Sequence, residues 1–319
     1  MKNQLIALLL TASLAQAAEF TEIEIKSSRD GQPQKALWWS PKKSGDTPVP
    51  LLVMLHTWSG NYLQKNWKEA GLKECEARGW AMIHPDFRGP NRRPEACGSE
   101  LAVQDVLDAV AWARKHTGVD PRRIYLVGTS GGGHMSLLMA GRAPGLWAAV
   151  SAWVPISDIA AWHNQTSEAG RKNYANNCEK ACGGKPGDSP AVDRQYRLRS
   201  PLTYLHRIAG LPLDINAGIH DGYTGSVPVS QTLHAFNAAA IANGLHTSAL
   251  TTDQIRWFRT RQTVPESLAK ETENETGRIR EILFRRQAGP ARVTIFAGGH
   301  EGDMPSAFRW LERQSKPAR

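Results

Sequence analysis

Long apolar runs are nearly missing from this 319-residue chain. Beyond the first twenty residues none is long and apolar enough for a helical membrane span. Internal repeats and low-complexity linkers are also absent, which excludes solenoid and propeller arrays. Cysteine is scarce, at 4 residues. No histidine stands at ligand spacing beside Cys75, Cys97, Cys178 or Cys182, so no zinc site is expected. No metal or organic cofactor is implied. Charge of one sign never runs together: 39 basic against 30 acidic side chains give +9, but the bases are scattered. Nucleic acid is therefore not an expected partner. With 41% hydrophobic and 22% charged residues, the composition excludes wholesale disorder and supports a sizeable core.

What is present begins with Met1-Lys2-Asn3-Gln4, an apolar run from Leu5 to Leu10, and Ala15-Gln16-Ala17. A basic tip, a short apolar stretch and a small-x-small site describe a secretory signal peptide, here residues 1–18. The competing reading is a buried N-terminal helix. Export to the periplasm or outside leaves 19–319 as one domain and makes the cysteines disulfide candidates. Four cysteines allow three connectivities. Close spacing favours Cys178 with Cys182, leaving Cys75 with Cys97.

Residues 21–27 and 36–40 read as a hairpin turning at Asp30-Gly31. Apolar runs at 50–56, 80–85, 123–128, 146–154, 211–220 and 292–297 have the composition of strands buried on both faces. Helical patterns at 66–78, 100–115, 132–142, 229–243 and 306–314 fall between them. The alternation predicts a mostly parallel, eight-stranded sheet covered by helices on both sides. Two segments break it. Residues 164–199, polar and rich in Gly and Pro, read as a small lid. Residues 251–291 read as an insertion with a helix near 253–259 and a hairpin closing at Ala288-Gly289-Pro290.

Gly128-Thr129-Ser130-Gly131-Gly132 follows the apolar strand 124–127 and opens a helix. A serine on such a sharp strand-to-helix turn is a nucleophile elbow, and the helix N-terminus favours developing negative charge. This arrangement defines the α/β-hydrolase fold, in which the acid and then the histidine follow along the chain. Asp221, at the end of strand 211–220, and His300, after the last strand, fill those places. Serine needs the base because its hydroxyl is otherwise a poor nucleophile, and the carboxylate fixes the imidazole tautomer. Asp158 is the rival acid. His134, inside the helix, and His220 read as packed side chains, Glu301 as solvated and Arg88 as an ion-pair partner. One oxyanion donor is expected from the Gly131 N–H, the second from Trp58 or Thr57. Trp58, Trp153 and Trp162 are candidate substrate walls.

The set Asp86-Phe87-Arg88-Gly89, Asp105 with Ala109 and Trp112, Val119-Asp120-Pro121-Arg122-Arg123 and Gly128–Gly132 resembles the prolyl oligopeptidase catalytic domain. Gly218-x-x-Asp221 with Val227-Pro228, and Gly299-His300-Glu301, extend the resemblance over roughly residues 50–315. It implies a serine hydrolase with Ser130, Asp221 and His300 as triad, cleaving an ester or peptide bond. Substrates would be small molecules, peptides or acylated sugars. The alternatives are a carbohydrate or short-chain esterase, and a non-catalytic binding protein on the same fold.

Overall fold

The computed structural model describes residues 18–42, 47–65 and 67–317. The export segment read at 1–18 lies outside the described residues except for Ala18. Among the described residues, nine strands form one sheet: β1 (Thr21–Lys26), β2 (Pro33–Trp39), β3 (Val49–Leu55), β4 (Ala81–Pro85), β5 (Val119–Thr129), β6 (Ala149–Trp153), β7 (Leu213–Gly218), β8 (Ile282–Ala288) and β9 (Ala291–Phe296). Their spatial order is β1-β2-β4-β3-β5-β6-β7-β9-β8, with six central strands parallel and β1, β2 and β8 antiparallel. The count exceeds the expected eight because β8 carries Arg285-Arg286-Gln287, which interrupts any apolar run. Such polar residues suit an edge strand, and β8 is the outer arm of the hairpin expected at 288–290.

The parallel strands are read by their alternation. Leu51, Val53 and Leu55 of β3 join one core cluster, while Leu52 and Met54 join another. The first face is covered by α2 (Glu100–His116), α3 (Gly131–Arg142), α7 (Val229–Ala242) and α8 (Thr252–Arg261), the second by α1 (Trp67–Arg78) and α9 (Met304–Leu311). Caps fix where these helices begin. Ser99 accepts from the Ala102 N–H at 3.1 Å, and Thr251 with Gln254 closes a capping box on α8.

The segment read as a small lid is built of helices: α4 (Ile159–Glu168), α5 (Lys172–Cys182) and α6 (Pro190–Arg199). Asp158 caps α4 through Ala161 N–H at 3.0 Å, Ser189 caps α6, and Gly183 ends α5 in the left-handed region at φ 88°. The segment's Gly and Pro residues punctuate three short helices. Their apolar sides pack with Trp58, Cys97 and Val227, beside the carboxyl edge of the sheet. All four cysteines are buried thiols. The spacing-based partners Cys75 and Cys97 fall in different clusters, separated by the sheet.

Candidate active site

Because β3, β5, β6, β7 and β9 are parallel neighbours, the loops after them converge on one edge of the sheet, where open α/β sheets bind ligands. Those loops carry Trp58, Ser130, Val154, Asp221 and His300.

Ser130 sits between β5 and α3 with φ 59° and ψ −117°. A left-handed serine costs about 1–2 kcal/mol, so its surroundings must hold it there. Its N–H donates to Trp153 O at 2.8 Å, and its carbonyl accepts from His134 N–H at 2.8 Å. Val154, next to that acceptor, is left-handed as well, at φ 43°, and its N–H is tied to Asn216 O at 2.6 Å. Two adjoining turns at the site thus carry backbone strain. The sequence offered no sign of the second.

Asp221 and His300 come together. His300 Nδ1–H donates to Asp221 Oδ2 at 2.7 Å, while Asp221 Oδ1 accepts from the N–H groups of Gly222 and Val227 at 2.8 and 3.1 Å. The carboxylate side chain is fully buried and the imidazole is 23% exposed. Orienting Nδ1 this way leaves Nε2 as the ring's basic nitrogen. No hydrogen bond joins Ser130 Oγ to His300, a contact that often tightens only around substrate. The two loops are nonetheless close: a Cβ on Gly302 would lie 3.2 Å from Thr129 Oγ1, the residue before Ser130.

The oxyanion candidates separate cleanly. Thr57 N–H is already donated to Gln64 Oε1 at 2.8 Å, which corrects its candidacy. Among the described residues, no acceptor takes the Trp58 N–H or the Gly131 N–H, and the two residues lie close: a Cβ on Gly131 would overlap the Trp58 backbone nitrogen. Glycine is required at 131 because that approach leaves no room for a side chain.

The three tryptophans do not form one wall. Trp58 and Trp162 meet edge to face at 4.6 Å, with Trp162 Nε1–H donating to Ser226 O at 2.8 Å. Trp153 lies on the other face of the sheet beneath the Arg278 guanidinium, 5.3 Å away. At 2%, 1% and 1% exposure, none offers an open ring face for stacking. The expectation of a stacking wall is therefore corrected: these rings are packing.

The remaining candidates have structural partners. His134 donates Nε2–H to Arg199 O at 2.8 Å, and burial brings its pKa down to about 4. Asp158 is a helix cap, His220 pairs with Gln262 at 3.0 Å, and Arg88 bridges Asp30 and Asp105. Glu301 is held by Arg280 at 3.1 Å. Two further supports have no sequence signature. Arg171 donates to Gly222 O and Tyr223 O at 2.9 and 2.8 Å, holding the acid loop. Ile279 N–H donates to Asp303 Oδ2 at 2.9 Å, holding the segment after His300. Among the described residues, no group of three or more His, Cys, Asp or Glu is placed to hold a metal.

The sequence profile of the prolyl oligopeptidase family matches residues 75–271. The chain belongs to that family. Lipase 2 of Moraxella sp. (strain TA144) is 36% identical over 69 residues, 21% of this chain and 15% of the lipase. The acylaminoacyl peptidase of Pyrococcus horikoshii superposes with TM-score 0.58 at 17% identity, over 72% of this chain and 36% of that protein. An acylaminoacyl peptidase bound to Z-Gly-Gly-Phe-chloromethyl ketone gives 0.63 at 17% identity, over 95% and 43%. At such identities these likenesses establish the α/β-hydrolase fold. The chain spans less than half the length of each of these three proteins. No described helix is long and apolar enough to cross a membrane.

Proposed function

We propose that this prolyl oligopeptidase-family protein is an exported hydrolase that cleaves an ester or amide through Ser130, His300 and Asp221. The observation that carries the reading is the 2.7 Å bond from His300 Nδ1 to the buried Asp221, on the loop edge that also bears the strained Ser130. His300 Nε2 takes the Ser130 proton as Oγ attacks the substrate carbonyl. The developing oxyanion is received by the N–H groups of Gly131 and Trp58, each such donor being worth about 3–4 kcal/mol. His300 then returns the proton to the leaving alcohol or amine, and water activated by the same imidazole hydrolyses the acyl-enzyme. Export rests on the basic tip, apolar run and small-x-small site of residues 1–18. N-terminal sequencing of the secreted protein checks it, and an uncleaved Met1 terminus would dismiss it.

The test is Ser130→Ala. Hydrolysis of p-nitrophenyl acetate should fall by at least about 10⁴-fold. Covalent labelling by a fluorophosphonate should disappear. Undiminished labelling of the variant removes Ser130 from the chemistry. Acetylated sugars, short acyl esters and aminoacyl-naphthylamides, assayed side by side, then rank ester against amide.

A further inference from the structure

Two disulfide pairings suggested by spacing are closed off by the fold. Cys178 and Cys182 stand four residues apart on α5. Helical neighbours at that spacing have Cβ atoms about 5–6 Å apart, beyond the ~3.5–4.5 Å a disulfide spans. Cys75 is buried between α1, α9 and the sheet, away from the other three.

What the fold assembles is a different group. Cys97, Cys178 and Cys182 share one buried cluster with Trp58, Trp162 and Tyr196. Cys97 is held firmly: its N–H donates to Asn91 Oδ1 at 2.8 Å, its carbonyl accepts from Arg199 Nη1 at 3.2 Å, and its backbone is left-handed at φ 51°. Arg199, at the end of α6, also donates to Ala96 O and Pro94 O at 2.7 and 2.8 Å, fastening the Cys97 segment to the helical insert.

We infer that Cys97 and one of the two α5 cysteines form a disulfide that ties the helical insert to the segment preceding α2. That segment bears on the site, because Asn91 N–H donates to Trp58 O at 2.9 Å and so steadies the loop offering the Trp58 N–H. With a small-molecule disulfide such as oxidised glutathione as oxidant, the chemistry balances. The Cys97 thiolate attacks and releases one glutathione thiolate, and the α5 thiolate then displaces the second from the mixed disulfide. Two protein thiols lose two protons and two electrons, and one glutathione disulfide becomes two thiols. Burial pushes the Cys97 thiol up to about 11 and Cys182 to about 12. Thiolate is then scarce in the folded protein, and the bond should form during folding, faster than in the folded, reduced protein.

The full chain, refolded in a glutathione redox buffer, is denatured, alkylated and digested with trypsin; Lys180 lies between Cys178 and Cys182, so they separate into different peptides. The expected result is alkylated Cys75, one alkylated α5 cysteine, and a peptide containing Cys97 linked to one containing the other. Reduction should lower Tm by about 5–10 °C. Cys75→Ser should leave both results unchanged, and wild-type mapping decides the matter even if Cys97→Ser does not fold. Four alkylated thiols, a Cys178–Cys182 bridge, or a bridge to Cys75 overturns the inference. None of these readouts depends on catalytic activity, so failure here and failure of the proposed triad are distinguishable.

Discussion

Replacing Gly225 with alanine presses directly on the Asp221–His300 pair. Gly225 does not occupy the left-handed region, so its backbone admits alanine. A Cβ there would overlap Asp221 Oδ1 and His300 Cβ and stand 3.0 Å from His300 Cγ. The carboxylate cannot swing aside freely, because Oδ1 is bound by the Gly222 and Val227 N–H groups at 2.8 and 3.1 Å. Carbon contacts settle at about 3.5–4.0 Å, so the imidazole must retreat by about an ångström. Misplacing a reacting group that far costs roughly 10²-fold in rate, or about 2.7 kcal/mol of barrier. Overpacking a half-buried loop should cost about 1–3 kcal/mol of stability. The assay is kcat and KM on p-nitrophenyl acetate, with Tm followed by circular dichroism. Gly145→Ala serves as control, since a Cβ there meets nothing within 4 Å. A folded Gly225→Ala protein with wild-type kcat would refute the claim that this aspartate–histidine pair serves the chemistry.

The sheet was legible because strands buried on both faces leave continuous apolar runs, and β3 and the 124–127 stretch of β5 do so. The elbow was legible because Ser130 sits among glycines between such a run and a helix. Asp221 and His300 could be read because chain order in this fold points to the ends of late strands, and the structure does join them. Other features depend on partners remote in the chain. Whether Thr57 or Trp58 keeps a free N–H is decided by Gln64, through one side-chain bond. That Trp153 faces away from Trp58 and Trp162 follows from strand parity: Trp153 lies on β6, where facing is set by register with β5 and β7. The insert's helices were not legible because its few apolar residues, Trp162, Cys178, Cys182 and Tyr196, meet only in three dimensions.

The insertion before the last strand makes two opposite predictions. Arg278, with a side chain 4% exposed, donates to Asn216 Oδ1 at 3.1 Å and approaches Glu275 at 3.4 Å, so Arg278→Met should cost about 1–3 kcal/mol in urea unfolding by leaving the buried Asn216 oxygen without that donor. Arg280→Ala breaks an exposed pair with Glu301 and should cost less than about 1 kcal/mol, and equal losses would contradict this division. The acid limb of stability should belong to buried histidines. Burial brings His84 to about 3 and His134 to about 4, from an ordinary 6.5. Above 6.5 both states hold these rings neutral and stability is flat. Below it the unfolded chain takes up protons that the folded one refuses, so stability falls with pH until the folded values are reached. At pH 5 each ring has cost about 2 kcal/mol, or about 4 together. That corresponds to a Tm lower by roughly 8–16 °C than at pH 7. His56 and His234, also lowered by burial, push the same way. Asp214, whose ordinary value is 3.8, titrates below this window and does not confuse it. His134→Gln should remove about 2 kcal/mol of the loss between pH 7 and 5, leaving the share of the other buried histidines. A Tm that stays level over that range in the wild-type protein would show that these rings are protonated without unfolding.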